Sequence, residues 1–555
     1  MLLKPASFSS RRLLFLVPLL ATMVMAASAA EPQPLTLAEY LRKVWERNEN
    51  IQIRLLEAAA ADSRLKGEKS IFEPEVTAGI EAVDRRRPNT TEQAVSSSFT
   101  RVFNERNRTY QGGLETLIPT GARLRLGYTV QHMENSFHAQ PPANIFGAPL
   151  APIENGEWLT TAGLTVTQPL LKNGGVRVTF AGIRAAAVQS EIAYQTYRKG
   201  LMELFIRAEA AYWDLYQAEE QLGIAGESLR VAQTLLADNK KRLEVGKGTE
   251  LDVLQAEAGV ATRTALEAEA RQRMLDAQSR VTTFISQSWT ADQTPWKAAD
   301  SPKLEERPLT FTELWAAVPE MNPDYLGAVK QAELEGVRVV LAKNQALPQL
   351  DLKGGYGVSR ISSNAGRSVN VLQRQDFPNW TIGLEFRMPW GGGKGRHELR
   401  AAQLRAEATA MALDNLGTQL SNGLRAGIES VASYRANQPR YQKVVEANRE
   451  VLKNQLAQLD AGKTDSRRVL EAEDDLFRAR ITALENMIRY QRANLDLEFL
   501  LGTALKKYGM DFTQAELRER TAILTERAQL TPERYEQFLR DIRAEYDRRV
   551  GLPTP

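Results

Sequence analysis

The stretch WTIGLEFRMPWGGGKG, Trp380 to Gly395, decides how this chain is read. Trp380, Ile382, Leu384, Phe386 and Met388 alternate with Thr381, Gly383, Glu385 and Arg387, the period of a strand with one apolar and one polar face. At the Gly391–Gly393 run the period changes. From Arg396 to Leu459, Ala, Leu, Glu, Arg and Gln dominate, all good helix formers, and Pro439 is the single proline. A helix of that length reaches about 96 Å, far beyond a globular one. Gly462 then breaks it, as a glycine just past a helix end does, and a return helix follows over Thr464–Leu501. A strand that feeds one very long antiparallel helical hairpin is the unit of this fold.

The same unit stands earlier in the chain. Ala461-Gly462-Lys463 leading to Val469-Leu470-Glu471-Ala472-Glu473 echoes Val245-Gly246-Lys247 leading to Val253-Leu254-Gln255-Ala256-Glu257, at an offset of 216. Pro389-Trp390 before Gly391 echoes Pro169-Leu170 before Gly174-Gly175, at an offset of 220. Leu309-Thr310-Phe311, Asn322 and Pro348 echo Leu35-Thr36-Leu37, Asn48 and Pro74, at an offset of 274. Three echoes in one order describe two halves of one plan. Each half opens with a helix closed by proline (Glu49–Phe72, Asp324–Leu347). Alternating strands come next: Val76, Ala78, Ile80 and Ala82, then Ala162, Leu164 and Val166, in the first half; Leu350, Leu352, Tyr356 and Val358 in the second. The long helix (Val176–Leu243 in the first half) and its return (Thr249–Ser286) close the plan. A return helix of about 57 Å and a leading helix of about 36 Å, stacked end to end, match the long partner. Alternation alone fits a soluble sandwich and an outward-apolar barrel equally.

Composition narrows the function. The chain has 555 residues, 43% hydrophobic and 25% charged, which is the profile of a folded protein. Its net charge is +3, and Lys4, Arg11 and Arg12 in the N-terminal segment supply as much, so no nucleic-acid partner is expected. There is no Cys, and His132, His138 and His397 are the only histidines, which leaves no thiol nucleophile and almost nothing for a His-based metal centre or triad. The apolar run Leu13–Met25 between those basic residues and Ala27-Ser28-Ala29 reads as a secretory signal, and no 18-residue apolar stretch follows it. Gly391–Gly395 lacks the phosphate-loop spacing because Gly395 follows Lys394, so it reads as a strand-to-helix junction. Glu473, Asp474 and Asp475 read as a solvated helix face, and Tyr212, Trp213 and Tyr216 as helix packing. No catalytic constellation, cofactor or metal site is expected.

The LTL opening, the helix to a proline, the TQPLL step (Thr167–Leu171) and the V-G-x-x-x-x-x-D-V-L-x-A-E hairpin (Val245–Glu257), with the duplication, resemble the outer-membrane efflux protein family typified by TolC. The resemblance covers residues 35–502. It implies an α+β membrane protein in which a transmembrane β-barrel is continuous with a long periplasmic α-helical coiled-coil barrel, with two internal structural repeats per chain, as a homotrimer. The parts would be a signal peptide (1–29), an N-terminal periplasmic helix (30–73), strands of the first half with a long insert (74–169) and hairpin 1 (170–287). A linker (288–308), helix (309–347), strands (348–390), hairpin 2 (391–502) and a periplasmic tail (503–555) complete them. The function implied is a passive export conduit of a tripartite efflux or type I secretion system in the cell outer membrane, without chemistry of its own. Partners would be a periplasmic adaptor, an inner-membrane transporter and outer-membrane lipid. The adaptor would dock at the hairpin tips, Val245, Gly246, Lys247, Ala461, Gly462 and Lys463. Related channels narrow their periplasmic gate with acidic side chains; the corresponding positions here are Arg468 and Glu471, spaced to pair on one helix face. Relatives usually have four strands per protomer. Here Pro74 to Pro169 holds an insert with its own alternation (Leu124, Leu126, Tyr128, Val130), which either adds two strands or builds a surface flap, the flap being preferred. The competing reading is a soluble periplasmic coiled-coil scaffold; Trp158, Tyr356, Trp380 and Trp390 near strand ends favour the channel.

Overall fold

A computed structural model describes residues 33–91, 101–139, 156–287, 295–305, 310–374 and 377–527, and scattered positions to 544. The signal segment 1–29 and much of the tail lie outside the described residues. In chain order come β1 (Gln33–Leu35), α1 (Leu37–Arg47), α2 (Glu49–Lys69), β2 (Glu75–Pro88), β3 (Val102–Leu117), β4 (Arg123–Asn135) and β5 (Glu157–Pro169). The first helical hairpin is α3 (Ala181–Glu244) and α4 (Glu250–Phe284), followed by β6 (Trp296–Ala298). Then follow α5 (Phe311–Met321), α6 (Pro323–Gln345), β7 (Gln349–Ser362), β8 (Pro378–Arg387), the second hairpin α7 (Gly393–Asp460) and α8 (Ser466–Leu501), and α9 (Gln514–Arg527). The long helices have 64 and 68 residues, and Pro439 is carried inside α7.

The six long strands form one antiparallel sheet in the order β2-β3-β4-β5-β7-β8. The insert is therefore two further strands of the wall, and the preferred flap is corrected. The reason is register: Val76, Leu114, Leu126, Leu164, Tyr356 and Trp380 stand directly opposite one another across all six strands. Because side chains alternate with period two, the insert keeps its apolar residues on the shared face only in this pairing. Its turn is fastened at the helix end of the sheet. Gly175 N–H donates to Thr120 O at 2.9 Å, and the Thr120 hydroxyl donates to Gln168 Oε1 at 2.8 Å.

Below the sheet the helices form a single layer four helices wide. Near the strands the order is α2-α3-α6-α7, and farther down α4 and α8 replace α2 and α6 beside α3 and α7. Leu424, Val431, Gln438, Val445, Leu452 and Leu459 are buried on α7 at intervals of seven residues, the interval of a coiled-coil seam. Ala256, Arg263, Ala270 and Ala277 do the same on α4. Where α1, α2 and α3 meet the C-terminal segment, Trp45 stacks on Phe205 at 6.2 Å and on Phe512 at 5.5 Å, within the largest apolar core. The expected linker contributes to this level, since β6 pairs in parallel with β1. The tail does too, through buried Met510, Phe512 and Leu517.

Candidate functional site

The sheet separates two chemistries. On one face Val76, Ile80, Trp380 and Ile382 are 76%, 79%, 73% and 71% exposed, with Leu114, Leu126, Tyr356, Leu384 and Phe386 exposed beside them. An apolar surface of this extent, continuous over six strands, requires a cover that is not water. Its upper part on β5 and β7 is covered by the chain itself: Val371 is buried against Ala162 and Val358 with Tyr128 beside them, and the Ser368 hydroxyl donates to Trp158 O at 2.9 Å. Trp158 stacks on His132 at 4.3 Å at that margin. The opposite face carries Thr77, Gln111, Arg125, Thr129, Thr161, Thr165 and Thr381, together with several charges that pair on it. Lys353 and Arg387 both bind Glu385, and Arg85 meets Glu105 at 3.1 Å.

The hairpin tips are left-handed glycine turns, as the sequence indicates. Gly246 and Gly462 have φ of 72° and 68°. Lys247 N–H donates to Arg242 O and Lys463 N–H to Gln458 O, both at 2.8 Å, which satisfies carbonyls that a helix end otherwise strands. Val245, Gly246, Lys247, Ala461, Gly462 and Lys463 thus lie at two solvent-exposed or half-exposed ends. Sequence reasoning missed Leu251 and Leu254, which are 60% and 63% exposed and make the first tip more apolar than the second, where Leu456 is 37% exposed.

The return helices start close to each other. Thr249 caps α4 and Asp465 caps α8, each accepting from a main-chain N–H three residues on. Arg468 and Glu471 are both exposed on α8, but the pairing expected between them is not the one formed. Glu471 takes Arg467 Nε at 2.9 Å, one full turn back, where the i, i+4 spacing brings the groups together. The hairpins are tied to each other here. Arg242 Nη1 donates to Leu459 O at 2.9 Å, and the Ser466 hydroxyl to Asn239 Oδ1 at 2.9 Å.

Deeper in, Arg263 of α4 donates through Nε to Glu473 of α8 at 2.6 Å and to Ser228 Oγ of α3 at 3.1 Å. A second donor, Nη2, also reaches Glu473. Both side chains are under a tenth exposed, so Glu473 is no solvated face; that reading is corrected. Asp474 does stay outside, paired with Arg478. The missed signal was the seven-residue interval, which places Arg263 among the buried alanines of α4. Tyr212 is packing, with its hydroxyl donating to Leu35 O at 2.9 Å. Burial pushes the nearby Glu219 carboxyl up to about 7, against the Ala298 N–H bond that lowers it. Among the described residues no cluster of three or more ionisable metal-ligating side chains occurs, and no helix is long and apolar enough to cross a membrane.

Comparison with known proteins agrees with this geometry. The chain is 26% identical over 346 residues to the proteases secretion protein PrtF of Dickeya chrysanthemi, covering 61% of this chain and 72% of that one. It is 22% identical to the outer membrane protein TolC of Vibrio cholerae, covering 66% and 82%. In fold it resembles the Campylobacter jejuni CmeC outer membrane channel, with a TM-score of 0.63, 13% identity, and 84% and 86% of the two chains covered. The outer membrane protein VceC of Vibrio cholerae gives 0.60 at 14% identity, covering 84% and 96%. The outer membrane efflux protein family matches residues 153–286 and 320–503, more than half of the chain, and the chain belongs to that family, as an export conduit of the outer membrane.

Proposed function

We propose that three copies of this chain assemble into one duct, with the six-stranded sheets closing a β-barrel in the outer membrane and the helical layers closing a tunnel in the periplasm. The observation that carries this reading is the sheet. It has a continuous apolar face, a polar opposite face and two long outer strands, β2 and β8, each with one unpaired edge. In lipid an open edge strands backbone N–H and C=O groups, so β2 of one copy must pair with β8 of the next. The two halves of each chain act as structural repeats of one plan, each giving one hairpin, whose tips serve as the docking surface for a periplasmic adaptor coupled to an inner-membrane transporter. Arg468 and Glu471 sit at the periplasmic gate. Relatives named for protease secretion, PrtF and AprF of Pseudomonas aeruginosa, favour a secretion system.

The test is substitution at both tips. The added Cβ of Gly246 or Gly462 meets nothing within 4 Å, so bulk there leaves the hairpin packing intact, though the positive φ adds local strain. Gly246→Trp combined with Gly462→Trp should abolish export while the trimer still assembles in the outer membrane. Unchanged export removes the tips from the mechanism; a soluble monomer removes the duct.

A further inference from the structure

The apolar face of the sheet ends at one level, and what stands just above that level differs from strand to strand. In the three-copy duct proposed above, on which this inference rests, that face meets lipid and the strand ends farthest from the helices point outward. The register lays its residues in rows. Ile80, Tyr110 and Val130 stand directly opposite one another on β2, β3 and β4, the last row there without a basic side chain. In the next row Ala82 faces Arg108, Arg108 faces His132, and His132 faces Trp158. Trp158 stacks on His132 there, and barrels place aromatic side chains where hydrocarbon gives way to headgroups. Arg108 therefore stands at the headgroup level. Arg106, opposite Asp84, is one row higher, and Arg86, opposite Asn104, one row higher again. Two residues of a tilted strand rise about 5 Å, so the three arginines climb through about 10 Å of the headgroup layer.

The two faces of the sheet treat their arginines differently at this height. On the polar face Arg85 meets Glu105 at 3.1 Å, and the Arg87 guanidinium lies 4.7 Å over the Phe103 ring, so both are engaged within the sheet. On the apolar face Arg86 and Arg108 are exposed and have no ionic or hydrogen-bonding partner among the described residues. Arg106 has Asp84 at 3.6 Å, with both side chains 64% exposed, and an exposed pair of this kind opens easily. Glu134 on β4, opposite Arg106, lies 3.7 Å from His132. Over β5 and β7 the same level is capped by the chain's own segment 365–374. The Tyr128 hydroxyl donates to Val369 O at 2.6 Å, and Thr160 and Ser368, both fully buried, share a hydrogen bond at 2.6 Å. Over β2 and β3 no such cap lies on the arginines. β3 is one strand in from the edge, so the pairing of copies does not use it.

We propose that Arg86, Arg106 and Arg108 form a binding site for the phosphate groups of an outer-leaflet glycolipid whose acyl chains lie on the apolar rows below. A guanidinium presents paired donors that match two phosphate oxygens at once, which an ammonium does not. The apolar rows hold the chains of the lipid, and the arginines select the charge of its headgroup. A zwitterionic headgroup brings its own cation into the same layer and fits less well.

Native mass spectrometry of the full chain in neutral detergent, with lipid A added as the doubly phosphorylated glycolipid, reads copy number and bound lipid in one spectrum. Three copies should retain lipid A, and the same lipid stripped of its phosphates should bind at least about tenfold more weakly. Arg106→Gln combined with Arg108→Gln should weaken lipid A binding about thirtyfold. Arg108→Gln alone, used if the pair does not assemble, should weaken it about fivefold. Arg125→Gln makes the same charge change on the polar face of β4 and should leave binding unchanged. Equal loss in Arg125→Gln, or equal retention of lipid A with and without its phosphates, refutes the site. Inorganic phosphate held as tightly as lipid A, and lost in the double variant, would make this a free-anion site and overturn the glycolipid. Three copies without retained lipid A overturn the inference and leave the duct standing; a soluble monomer overturns the duct and the inference with it.

Discussion

The side-chain amide of Asn48 donates to the main-chain carbonyl of Phe284 at 2.8 Å, while its Oδ1 accepts from Asn50 N–H at 3.0 Å. One residue thus joins the last turn of α4 to the first turn of α2. Helix ends leave carbonyls at one terminus and N–H groups at the other without partners, and a primary amide serves both at once. Asn322 makes the corresponding pair of bonds, to Leu500 O and from Tyr325 N–H, each at 2.9 Å. This is how a return helix and a leading helix, each too short alone, together run beside one long partner.

Asn48→Asp should therefore keep the cap and lose the splice, because a carboxylate cannot donate to Phe284 O. Asn48→Ala should lose both, at a cost of about 1–3 kcal/mol. Denaturant melts of the purified protein check this, with Asn322→Asp and Asn322→Ala giving the same order. Equal stability of the aspartate variant and the parent would show that the splice contributes nothing.

The two faces of β8 give a paired prediction. Leu384→Arg puts a charge on the apolar face and should cost about 2–4 kcal/mol near the bilayer midplane, seen as a lower trimer yield. Gly383→Arg, one position away, points to the polar face, where a Cβ meets nothing within 4 Å, and should assemble. Equal loss at both positions would mean that the strand faces are assigned the wrong way round.

The strand faces were legible because alternation is a local signal: Trp380 to Met388 carries it unaided. What β3 and β4 do was not, because alternation says which face is apolar but not which neighbour a strand takes, and pairing is settled only by the whole row from Val76 to Trp380. Glu473 shows the same limit. Its run of three acids looks solvated on one helix, yet its environment is set by Arg263, 210 residues away in sequence. Asn48 was visible as an echo of Asn322 without any hint of its partner.

Removing either member of the Arg263–Glu473 pair leaves a buried charge and should destabilise the contact between the hairpins by about 3–5 kcal/mol. Glu473→Ala should thus raise the conductance of the purified channel in a planar bilayer if the closed entrance depends on the hairpins staying together. The double replacement Arg263→Met with Glu473→Leu, apolar and of similar bulk, should restore closure. A single mutant with parental conductance would show that this tie does not hold the entrance.

Glu219 makes the junction of β6 with the helices sensitive to pH. Its carboxyl titrates near 4.5 in the unfolded chain and near 7 in the folded one, so the folded state retains the proton between those values. Stability should be greatest below about 4.5 and decline up to about 7, as burial penalises the charged form. Lys297 opposes this and Glu220 reinforces it. Glu219→Gln should flatten that dependence, with its largest gain over the parent above pH 7 and little difference at the acid end. Thermal melts across this range provide the check, and an unchanged slope would assign the pH response elsewhere.

The last prediction concerns Glu471, whose partner is Arg467 and not Arg468. Both members of the pair are largely exposed, so it contributes only about 0.2–1 kcal/mol. Arg468, with its main-chain N–H on the Asp465 cap, keeps its guanidinium in solvent one position along the helix. If this face of α8 lines the entrance, the three charges do different work. Arg467→Gln should free Glu471 and raise cation preference without altering the shape of the opening. Arg468→Glu should raise it further, since it replaces a cation by an anion in every copy. Glu471→Gln should shift selectivity the other way and loosen closure. All three effects should shrink as salt rises, because exposed charges are screened within about 8 Å at physiological ionic strength. Reversal potentials across a salt gradient measure each in turn, and three variants with the parental reversal potential would place this face of α8 outside the conduction path.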